Sequence, residues 1–535
     1  MTEKRKLRLK KFYFHPITML LVATIVVLIL SSILSGLEVQ ATYNLVNKTT
    51  NELEPTLVTI ENLLTYNGLK SLISSATTNF VAFAPLSMLI ISLIGISIAE
   101  STGLIDTLSK RKIKKLTKNQ LTFIVLFLGV ISSLISDVGY AILIPLAAII
   151  YEINGRNPLL GIITAFCGTA FGSGVSLFVG WSEVNLIPST TSAAHLIDTS
   201  THISLSSNLF FTIVSTFVIS IVGTIIIEKL ISPKLGKYHF HDRTTGETLK
   251  TSELIIADIE EVEQNKIAIE KKEKRGLRYA LIATIISLLI FIYMLIPNLP
   301  GSGLLLDTTE ATYVNQLFGK SSYFHLAFSF LVSLFFIIIS LAYAIGAKSI
   351  KNDRELIEKA SANFKNIGMI LILMFVFSQF LAVWKKSNIG IIITTWLATL
   401  LSHLEFTDIP LIVTTLIFIA IANIFCTSLT TKWKIFSPIV IPLFMQANIS
   451  PQFAQIVMRA GDSMTKGITP FLSFFIIYLG YLNLYNQNKQ KPITIHHSLK
   501  IVTPFFAIIS FTWILLIIGW YIIGIPIGPG VSPTI

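Results

Sequence analysis

Long apolar runs recur along this chain, and polar residues are concentrated in the segments between them. The runs are continuous rather than alternating, and several approach the ~20 residues that an α-helix needs to cross a bilayer. A helix also satisfies every backbone donor and acceptor within the run, as lipid requires. The pattern predicts membrane-spanning helices at Pro16–Ser35, Phe80–Ala99, Leu209–Ile231, Ala280–Ile296, Phe324–Ile345, Ile367–Val383 and Phe505–Ile525.

The composition of the chain supports this class. Of the 535 residues, 53% are hydrophobic and 13% are charged, and the mean hydropathy is +0.73. These values lie outside the range of soluble globular domains. Only two cysteines occur, Cys167 and Cys426, both within apolar stretches, so a disulfide framework or a thiolate metal site is not supported. We therefore predict an all-α integral membrane protein.

Basic residues account for the net charge of +12. They cluster in "EKRKLRLKK" near the N-terminus, in "KRKIKKLTK" at Lys110–Lys118 and in "EKKEKRGLR" at Glu270–Arg278. The positive-inside rule places these segments in the cytoplasm, which favours the lipid bilayer as a partner and disfavours nucleic acid. We predict a multi-pass protein of the cytoplasmic membrane with a cytoplasmic tail (1–15), a first half (16–231), a cytoplasmic loop (232–278) and a second half (279–535).

Two apolar segments are interrupted in their middle by polar residues. The first, 121–153, contains "SSLISDVGY" with Asp137 at its centre, and the second, 411–446, contains "CTSLTT". Two short helices that meet at a polar tip suit these lengths, because irregular backbone survives in a membrane only where protein or water covers it. We predict re-entrant hairpins in both segments. Each is followed by a helix that is broken at a Gly-rich centre, at 158–190 and 451–485.

The two interrupted regions are related by an internal repeat. Helix-breaking residues coincide at a single shift of 293 residues, since Pro145, Pro158, Gly168 and Gly174 match Pro438, Pro451, Gly461 and Gly467. When the spans are counted from a cytoplasmic N-terminus, the first hairpin starts inside and the second outside, so the repeat is inverted. Inverted repeats with broken helices are typical of secondary transporters that bind their substrate near the bilayer midplane.

Polar residues and glycines of these regions are candidate ligands for a coupling ion. Hydroxyls and carboxylates are hard oxygen ligands suited to a cation such as sodium, and unwound backbone adds carbonyl groups. The candidates are Ser136, Asp137, Gly172, Gly174, Thr427 and Ser428. Close helix packing is the competing explanation for the Ser, Thr and Gly residues. Asp137 is also suited to fixing the hairpin tip by accepting backbone N–H bonds.

Two stretches, "SDVGYAILIPLAAIIYEINGRNPLLGI" and "KWKIFSPIVIPLFMQANISPQFAQIVMRAGDSMTKGITP", resemble the signature regions of the AbgT family, the p-aminobenzoyl-glutamate transporters. The resemblance implies a homodimer of subunits with about nine transmembrane helices and two oppositely oriented re-entrant hairpins, similar to the dicarboxylate/sodium symporters. It also implies import of p-aminobenzoyl-glutamate or export of sulfonamide antimetabolites, driven by an ion gradient through an elevator-type movement.

The resemblance also assigns a substrate site. The positions that match the family's motifs are Thr430, Trp433, Pro451, Arg459, Asp462 and Pro470. Arg459 would hold a substrate carboxylate through two parallel hydrogen bonds, and Trp433 would stack on the aminobenzoyl ring. Asp462 would take a proton or help to bind a cation, or else neutralise Arg459 one turn away. Gly461 and Gly467 are predicted to open the helix that carries these residues.

Three departures from the family pattern fall within the predicted substrate and coupling sites. Lys466 stands where the family has Asn, Val175–Ser176 replaces part of a Ser-Ala-Asn-Leu motif, and Glu183 replaces an Asp. An ammonium at Lys466 beside Asp462 would occupy the place of a coupling cation, which predicts weakened sodium dependence or proton coupling. The alternative is that Lys466 extends into a water-filled cavity or toward the membrane surface.

The residues favour a secondary transporter that needs no cofactor other than sodium or a proton as coupling ion. A dicarboxylate or citrate carrier of the same architecture is the alternative, although Trp433 would then have little to stack on. An intramembrane enzyme using Asp462 and Arg459 is disfavoured, because no nucleophile–base pair or metal-ligand set accompanies them. The "GSG" at Gly172–Gly174 lacks the Lys-Ser/Thr of a P-loop, so direct use of ATP is not supported.

Overall fold

The computed structural model describes residues 14–47, 52–135, 137–236, 238, 259–319, 321–362, 364 and 367–535. Its first half contains α1 (Pro16–Gly36), β1 (Gln40–Val46), β2 (Leu53–Thr59), α2 (Tyr66–Val81), α3 (Ala84–Ser101), α4 (Leu104–Arg111), α5 (Lys118–Ile131), α6 (Val138–Ile153), α7 (Pro158–Phe171), α8 (Trp181–Ala194) and α9 (Leu209–Ile226). Short 3₁₀ turns lie at Ile113–Lys115, Ser132–Ile135 and Ser232–Leu235, and a π turn lies at Ile227–Ile231.

In the described residues of the second half, all the regular elements are helices. It contains α10 (Ile259–Leu295), α11 (Tyr313–Phe318), α12 (Tyr323–Ala347), α13 (Asp353–Ala362), α14 (Gly368–Lys386), α15 (Ile389–Ser402), α16 (Asp408–Phe425), α17 (Leu429–Gln446), α18 (Pro451–Lys466), α19 (Phe475–Leu484) and α20 (Ile495–Ile523).

Within the described ranges, nine helical stretches are long and apolar enough to cross a bilayer. They are Pro16–Gly36, Tyr66–Ser101, Lys118–Ile135, Leu209–Leu235, Ile269–Leu295, Tyr323–Ala347, Gly368–Lys386, Asp408–Phe425 and Ile495–Ile523. All the apolar runs identified in the sequence fall in or overlap these stretches, and the prediction of an all-α integral membrane protein is confirmed. That some of these helices turn back within the bilayer stays a prediction.

Two features of the fold were not expected from the sequence. The predicted external segment after α1 contains an antiparallel β-hairpin, in which β1 pairs with β2 from Gln40↔Thr59 to Val46↔Leu53, and β1 packs on α15 and α17. In addition, α10 runs without interruption across the predicted boundary at residue 278. Residues 239–258 of the predicted loop, and residues 1–13 of the predicted tail, lie outside the described residues.

Helix ends agree closely with the predicted hairpins and broken helices. The first hairpin corresponds to α5 and α6, and the second to α16 and α17. One broken helix consists of α7 and α8, separated by 172–180, and the other of α18 and α19, separated by 467–474. Shifted by 293 residues, α6 would cover 431–446 and α7 451–464, against 429–446 for α17 and 451–466 for α18. The opposite orientation of the two units in the membrane stays a prediction.

Glycines let each hairpin lie directly on the broken helix beside it. A Cβ at Gly168 of α7 would stand 2.5 Å from the carbonyl oxygen of Leu126 on α5. A Cβ at Gly461 of α18 would stand 2.9 Å from the carbonyl oxygen of Leu416 on α16. The prediction that Gly461 opens its helix is wrong, because α18 is continuous through this residue and ends only before Gly467. Small residues are required wherever helices approach this closely.

At the centre of the fold, helices of each half pack against helices of the other half. Helix α6 of the first hairpin packs against α19 of the other broken helix, and α17 packs against α8 in the same relation. Helices α7 and α18 also contact each other, and the ring of Phe171, the last residue of α7, lies against Gly467. This packing between the halves brings the breaks and hairpins of both into one region, where the candidate site lies.

The last residues of the chain tie the N-terminal ends of α9 and α18 together. The carbonyl oxygen of Ile527 accepts hydrogen bonds from the backbone N–H groups of Phe210 and Phe211, at 2.9 and 3.1 Å. Ser450, which caps α18, donates through its backbone N–H to Pro533 and through its hydroxyl to Ser532, each at 2.8 Å. The tail therefore helps to hold the helix that carries the predicted substrate residues.

Replacing Ser450 with alanine removes both the cap of α18 and the side-chain hydrogen bond to the tail. We expect Ser450→Ala to lower the free energy of unfolding by about 1–2 kcal/mol. Thermal unfolding in detergent measures this effect. Thr494→Ala is the matched control, because Thr494 caps α20 through the backbone N–H of His497. Equal losses of Tm in the two variants would contradict a contribution from the tail.

Candidate functional site

Three ion pairs converge on α18, and each joins it to a different element. Arg459 contacts Glu183 of α8, Asp462 contacts Lys432 of α17, and Lys466 lies 3.3 Å from Asp137, which directly precedes α6. Both members of the first two pairs are buried. Intramembrane charges are costly and are usually functional, so this convergence marks the candidate site.

Arg459 is held by a carboxylate that also begins a helix. Glu183 lies in the first turn of α8, where its Oε2 accepts a hydrogen bond from the backbone N–H of Gly180 at 2.9 Å. Its Oε1 accepts from Nη1 of Arg459. The interpretation that Asp462 neutralises Arg459 across one turn is therefore not supported. The Nε–H of Arg459 has no hydrogen-bond partner among the described residues, so the guanidinium retains a free donor.

Asp462 is paired with a lysine from the second hairpin. The ammonium of Lys432 contacts Oδ1 of Asp462 and Oδ1 of Asn423 on α16. The side chain of Lys432 is 0% exposed. The sequence-based hypothesis placed an ammonium beside Asp462, but assigned it to Lys466.

Lys466 instead connects the end of α18 to the first hairpin. Its ammonium lies 3.3 Å from Oδ1 of Asp137, and its side chain is only 12% exposed. Within the described residues, the Asp137 side chain accepts no hydrogen bond at the start of α6, so the suggested role in capping this hairpin is not supported. Ser136, the neighbouring candidate, lies outside the described residues.

The break between α7 and α8 lies against the middle of α18. Gly172 ends α7, and the backbone N–H of Gly174 donates to the hydroxyl of Ser463 at 2.5 Å. A Cβ at Gly174 would stand 2.6 Å from the carbonyl oxygen of Arg459. The hydroxyl of Ser176 is used locally, where it accepts from the backbone N–H of Phe178 at 3.3 Å. Gly174 is thus required by close packing against the charged helix.

The tip of the second hairpin borders a cavity of about 290 Å³. Its polar lining includes Thr427 and Ser428, and Trp384 and Phe471 form an aromatic wall with ring centroids 4.0 Å apart. Ser428 caps α17, and its hydroxyl lies 3.5 Å from that of Thr430. The two candidate coupling residues of this tip therefore line the cavity together with Thr431, which directly precedes Lys432 in the chain.

The remaining predicted substrate residues lie in different parts of the fold. Trp433 is fully buried, and its Nε1 donates to the hydroxyl of Thr190 on α8 at 2.8 Å. Pro470 lies in the break between α18 and α19. Pro451 is the first residue of α18, about 12 Å along the helix axis from Arg459 at the usual rise per residue. The helix therefore separates Pro451 from the charged centre.

Comparison with known proteins identifies the family. Residues 12–535 match the model of the AbgT putative transporter family. The chain belongs to the AbgT family. It is 29% identical over 521 residues to the p-aminobenzoyl-glutamate transport protein of Escherichia coli K12, covering 97% of this chain and 94% of that relative. The AbgT family and this relative are transporters rather than enzymes, so the expectation of a membrane transporter of small molecules is confirmed.

Two solved structures of AbgT-family transporters are also similar to this chain. The YdaH transporter of Alcanivorax borkumensis is 27% identical, with a TM-score of 0.46 and coverage of 96% of this chain and 100% of that one. Neisseria gonorrhoeae MtrF, described as an antimetabolite efflux pump, is 27% identical, with a TM-score of 0.48 and coverage of 97% and 98%.

Lys432 and Asn423 of this AbgT-family member were not predicted from the sequence to belong to the site. Lys432 directly precedes Trp433 in the predicted hairpin, where an ionisable side chain is expensive and needs a partner. That signal was available, but Lys432 lies in the alternating stretch "KWK", and the sequence does not distinguish it from Lys434, which is exposed. Asn423 carried no signal, because an isolated amide in an apolar helix is common.

The close approach at Gly174 gives a test of the geometry of this AbgT-family site. We expect Gly174→Ala to lower the free energy of unfolding by about 1–3 kcal/mol, because the added methyl group collides with the backbone of α18. Gly519→Ala is the control, since a Cβ there has no neighbour within 4 Å. Thermal unfolding in detergent compares the two variants. An unchanged Tm for Gly174→Ala would show that the break does not press on α18.

Proposed function

We propose that this chain carries p-aminobenzoyl-glutamate, or related aromatic carboxylates and sulfonamide antimetabolites, across the cytoplasmic membrane. The transport is secondary, driven by a sodium or proton gradient, in a homodimer whose N-termini lie in the cytoplasm. Family membership and the named activity of the Escherichia coli relative support the substrate class. The observation that carries the proposal is the buried Arg459 guanidinium, which is paired with one carboxylate in the part of the chain that the structure describes.

The substrate carboxylate would compete with Glu183 for Arg459. Arginine presents several donors in a planar fork that matches a carboxylate with two hydrogen bonds. In this conformation Glu183 uses Nη1, while Nε has no partner among the described residues. A substrate carboxylate can therefore take the free edge or replace Glu183. In either case a carboxylate still neutralises the buried guanidinium. If Glu183 moved away without a replacement, the guanidinium would be left unpaired.

The aromatic ring of the substrate would require movement of the second hairpin. Trp433 of α17 is fully buried and donates to Thr190 of α8, so its face is closed to a ligand in this conformation. The cavity at the hairpin tip already offers the aromatic surfaces of Trp384 and Phe471 beside hydroxyl groups. We infer that the ring enters at this cavity and reaches Trp433 when the tip opens.

Three ion pairs favour movement of the site as one body. They join α18 to α8, to α17 and to the turn that precedes α6. Separating a buried pair leaves uncompensated charges, whereas moving both members together does not. The hairpins and broken helices would therefore cross the membrane as a unit, relative to outer helices such as α10 and α12. This is the elevator-type movement.

Substitution of Arg459 tests the substrate site. We expect Arg459→Ala to weaken binding of p-aminobenzoyl-glutamate on the order of 100-fold, because a buried charge-assisted hydrogen-bond pair is lost. Arg459→Lys should retain part of the affinity, since it keeps the charge without the fork. Isothermal titration calorimetry in detergent measures both. Arg354→Ala is the control, because Arg354 lies on the surface of α13. Normal affinity in Arg459→Ala would exclude this residue from the site.

Competition in proteoliposomes distinguishes aromatic from simple dicarboxylate substrates. We expect exchange of radiolabelled p-aminobenzoyl-glutamate to be inhibited by an excess of the unlabelled compound and by a sulfonamide, because both present an aminophenyl ring to the aromatic wall. Citrate and succinate lack the ring and should inhibit weakly. Uptake and efflux are measured in the same vesicles to assign the direction. Binding and transport of citrate alone would favour the dicarboxylate carrier instead.

A further inference from the structure

A cavity of about 540 Å³ lies where the ends of four helices meet. Its lining includes His15 directly before α1, Met369 in the first turn of α14, Leu484 at the end of α19 and Pro492 in the turn that leads to α20. Three of these helices, α1, α14 and α20, are long and apolar enough to cross a bilayer. The ends of such helices lie at the level of the lipid headgroups. The cavity is therefore placed where a headgroup can reach it.

Lys489 lines this cavity and is fixed at the end of α19. Its Nζ donates to the carbonyl oxygens of Asn483 and Leu484, at 3.2 and 2.8 Å. The helix dipole also favours a cation at this position, since unpaired carbonyl groups lie at the C-terminal end of a helix. An ammonium has three N–H donors, so one donor of Lys489 has no partner among the described residues.

Two asparagines of the lining shape the turn between α19 and α20. The Asn483 amide donates to the carbonyl oxygen of Ile493 at 2.9 Å and accepts from the backbone N–H of the same residue at 2.8 Å. The Asn486 amide donates to the carbonyl oxygen of Lys491 at 2.9 Å and accepts from the backbone N–H of Asn488 at 3.1 Å. These bonds hold the turn in one conformation, so the ammonium that it carries is positioned before any ligand binds.

His15 supplies a second donor to the lining. Its Nδ1 accepts a hydrogen bond from the backbone N–H of Ile17 at 3.2 Å, which caps α1. A neutral imidazole that accepts at Nδ1 carries its proton on Nε2. Burial lowers the pKa of this imidazole, which suits the neutral form that the cap requires. The cavity is thus lined by one ammonium and by one neutral ring with an N–H donor.

Positive charge predominates around the cavity. In the part of the chain that the structure describes, its lining contains no Asp or Glu, and no acidic residue follows Asp462 in the sequence. The basic run "EKRKLRLKK" precedes His15, and Lys500 lies in the first two turns of α20. Partial burial lowers the pKa of the Lys489 ammonium, and no carboxylate of the lining offsets this effect. An anion is therefore the ligand that this region favours.

The surface next to the cavity favours a lipid over a free anion. Helix α1 begins directly after His15, and its residues Leu21, Val22, Ile25 and Ile29 are exposed. A phospholipid whose phosphate occupies the cavity can lay its acyl chains along this apolar face. Basic pockets between spanning helices bind anionic headgroups in this way, and phosphate oxygens accept readily from ammonium and imidazole N–H groups.

We propose that this cavity binds the phosphate of an anionic phospholipid, which accepts hydrogen bonds from Lys489 and His15 while its acyl chains lie along α1. The site is formed by helix ends outside the three ion pairs of α18, so it does not depend on the proposed function. A bound lipid would join the start of α1 to the turn between α19 and α20. It would thereby stabilise the folded protein.

Phosphatidylglycerol is the probe that tests this site. Thermal unfolding of delipidated protein in detergent is followed as dioleoyl phosphatidylglycerol is added, with dioleoyl phosphatidylcholine as the lipid that has a phosphate but no net charge. We expect phosphatidylglycerol to raise the Tm of the wild type more than phosphatidylcholine does. Lys489→Gln should need at least about fivefold more phosphatidylglycerol for the same rise, whereas Lys489→Arg should need about as much as the wild type.

Two further variants separate the site from general charge and from the fold. Lys500→Gln removes the same charge from an exposed position outside the lining, and it should behave as the wild type. His15→Ser retains an acceptor that can cap α1 but loses the ring N–H. We expect it to respond more weakly to phosphatidylglycerol, with a Tm near that of the wild type when no lipid is present.

Three results would overturn the proposal. One is an equal loss of response in Lys489→Gln and Lys500→Gln, which indicates diffuse attraction to surface charge. Another is an equal rise of Tm with the two lipids. The third comes from sodium phosphate compared with sodium chloride at equal ionic strength. If inorganic phosphate reproduced the rise in Tm and abolished the response to phosphatidylglycerol, the cavity would bind a free anion instead of a lipid.

Discussion

The ion pairs on α18 constrain the elements around them, because a charged side chain in a region of low dielectric must keep a partner. Arg459, Asp462 and Lys466 succeed one another along a single helix, and their partners come from three separate elements. A shift of α18 along its axis would separate all three pairs at once. The close approach at Gly174 and the hydrogen bond to Ser463 fit this requirement, since they bring the other broken helix to the same turn of α18.

Glu183 joins the guanidinium of Arg459, the proposed substrate ligand, to the start of a helix. One oxygen of its carboxylate accepts from the backbone at the start of α8, and the other contacts Arg459. A carboxylate at a helix N-terminus is stabilised further by the helix dipole. A ligand that displaces it from Arg459 therefore competes with an anion that already has two sources of support. Such competition would suit the proposed carrier, which must also release its substrate.

The sequence predicted the parts of this protein that depend on length and on helix breakers. Apolar runs located the spans. Of the residues matched at one shift, Pro158 and Pro451 are the first residues of α7 and α18, and Gly174 and Gly467 lie in the two breaks. The partners of the charged residues were harder to predict. Arg459 and Asp462 are one turn apart, and their spacing allowed a mutual pair as one alternative. Their actual partners are distant in sequence and are set by the crossing of α18 with α8 and α17. Gly461 was predicted to open α18, because the sequence does not show that this glycine makes room for the neighbouring α16.

The lysine that pairs with Asp462 could not be predicted from the spacing of residues along one helix. Lys466 is one turn away on the same helix, and Lys432 is thirty residues away on another. Periodicity reveals which side chains share a helical face, but the hairpin fold decides which ammonium reaches the carboxylate. A buried lysine next to a tryptophan in an apolar hairpin was the available signal, and its cost in a membrane makes such a residue worth following to its partner.

Strict pairing has an electrical consequence. The six side chains of the three pairs contribute three positive and three negative charges, so together they contribute no net charge to the unit that holds them. Each unbalanced charge carried through a membrane potential of about 100 mV changes the free energy by about 2.3 kcal/mol. As paired, these six groups would therefore add no voltage sensitivity to the movement proposed for the unit. A substrate that alters one of the pairs would change that balance.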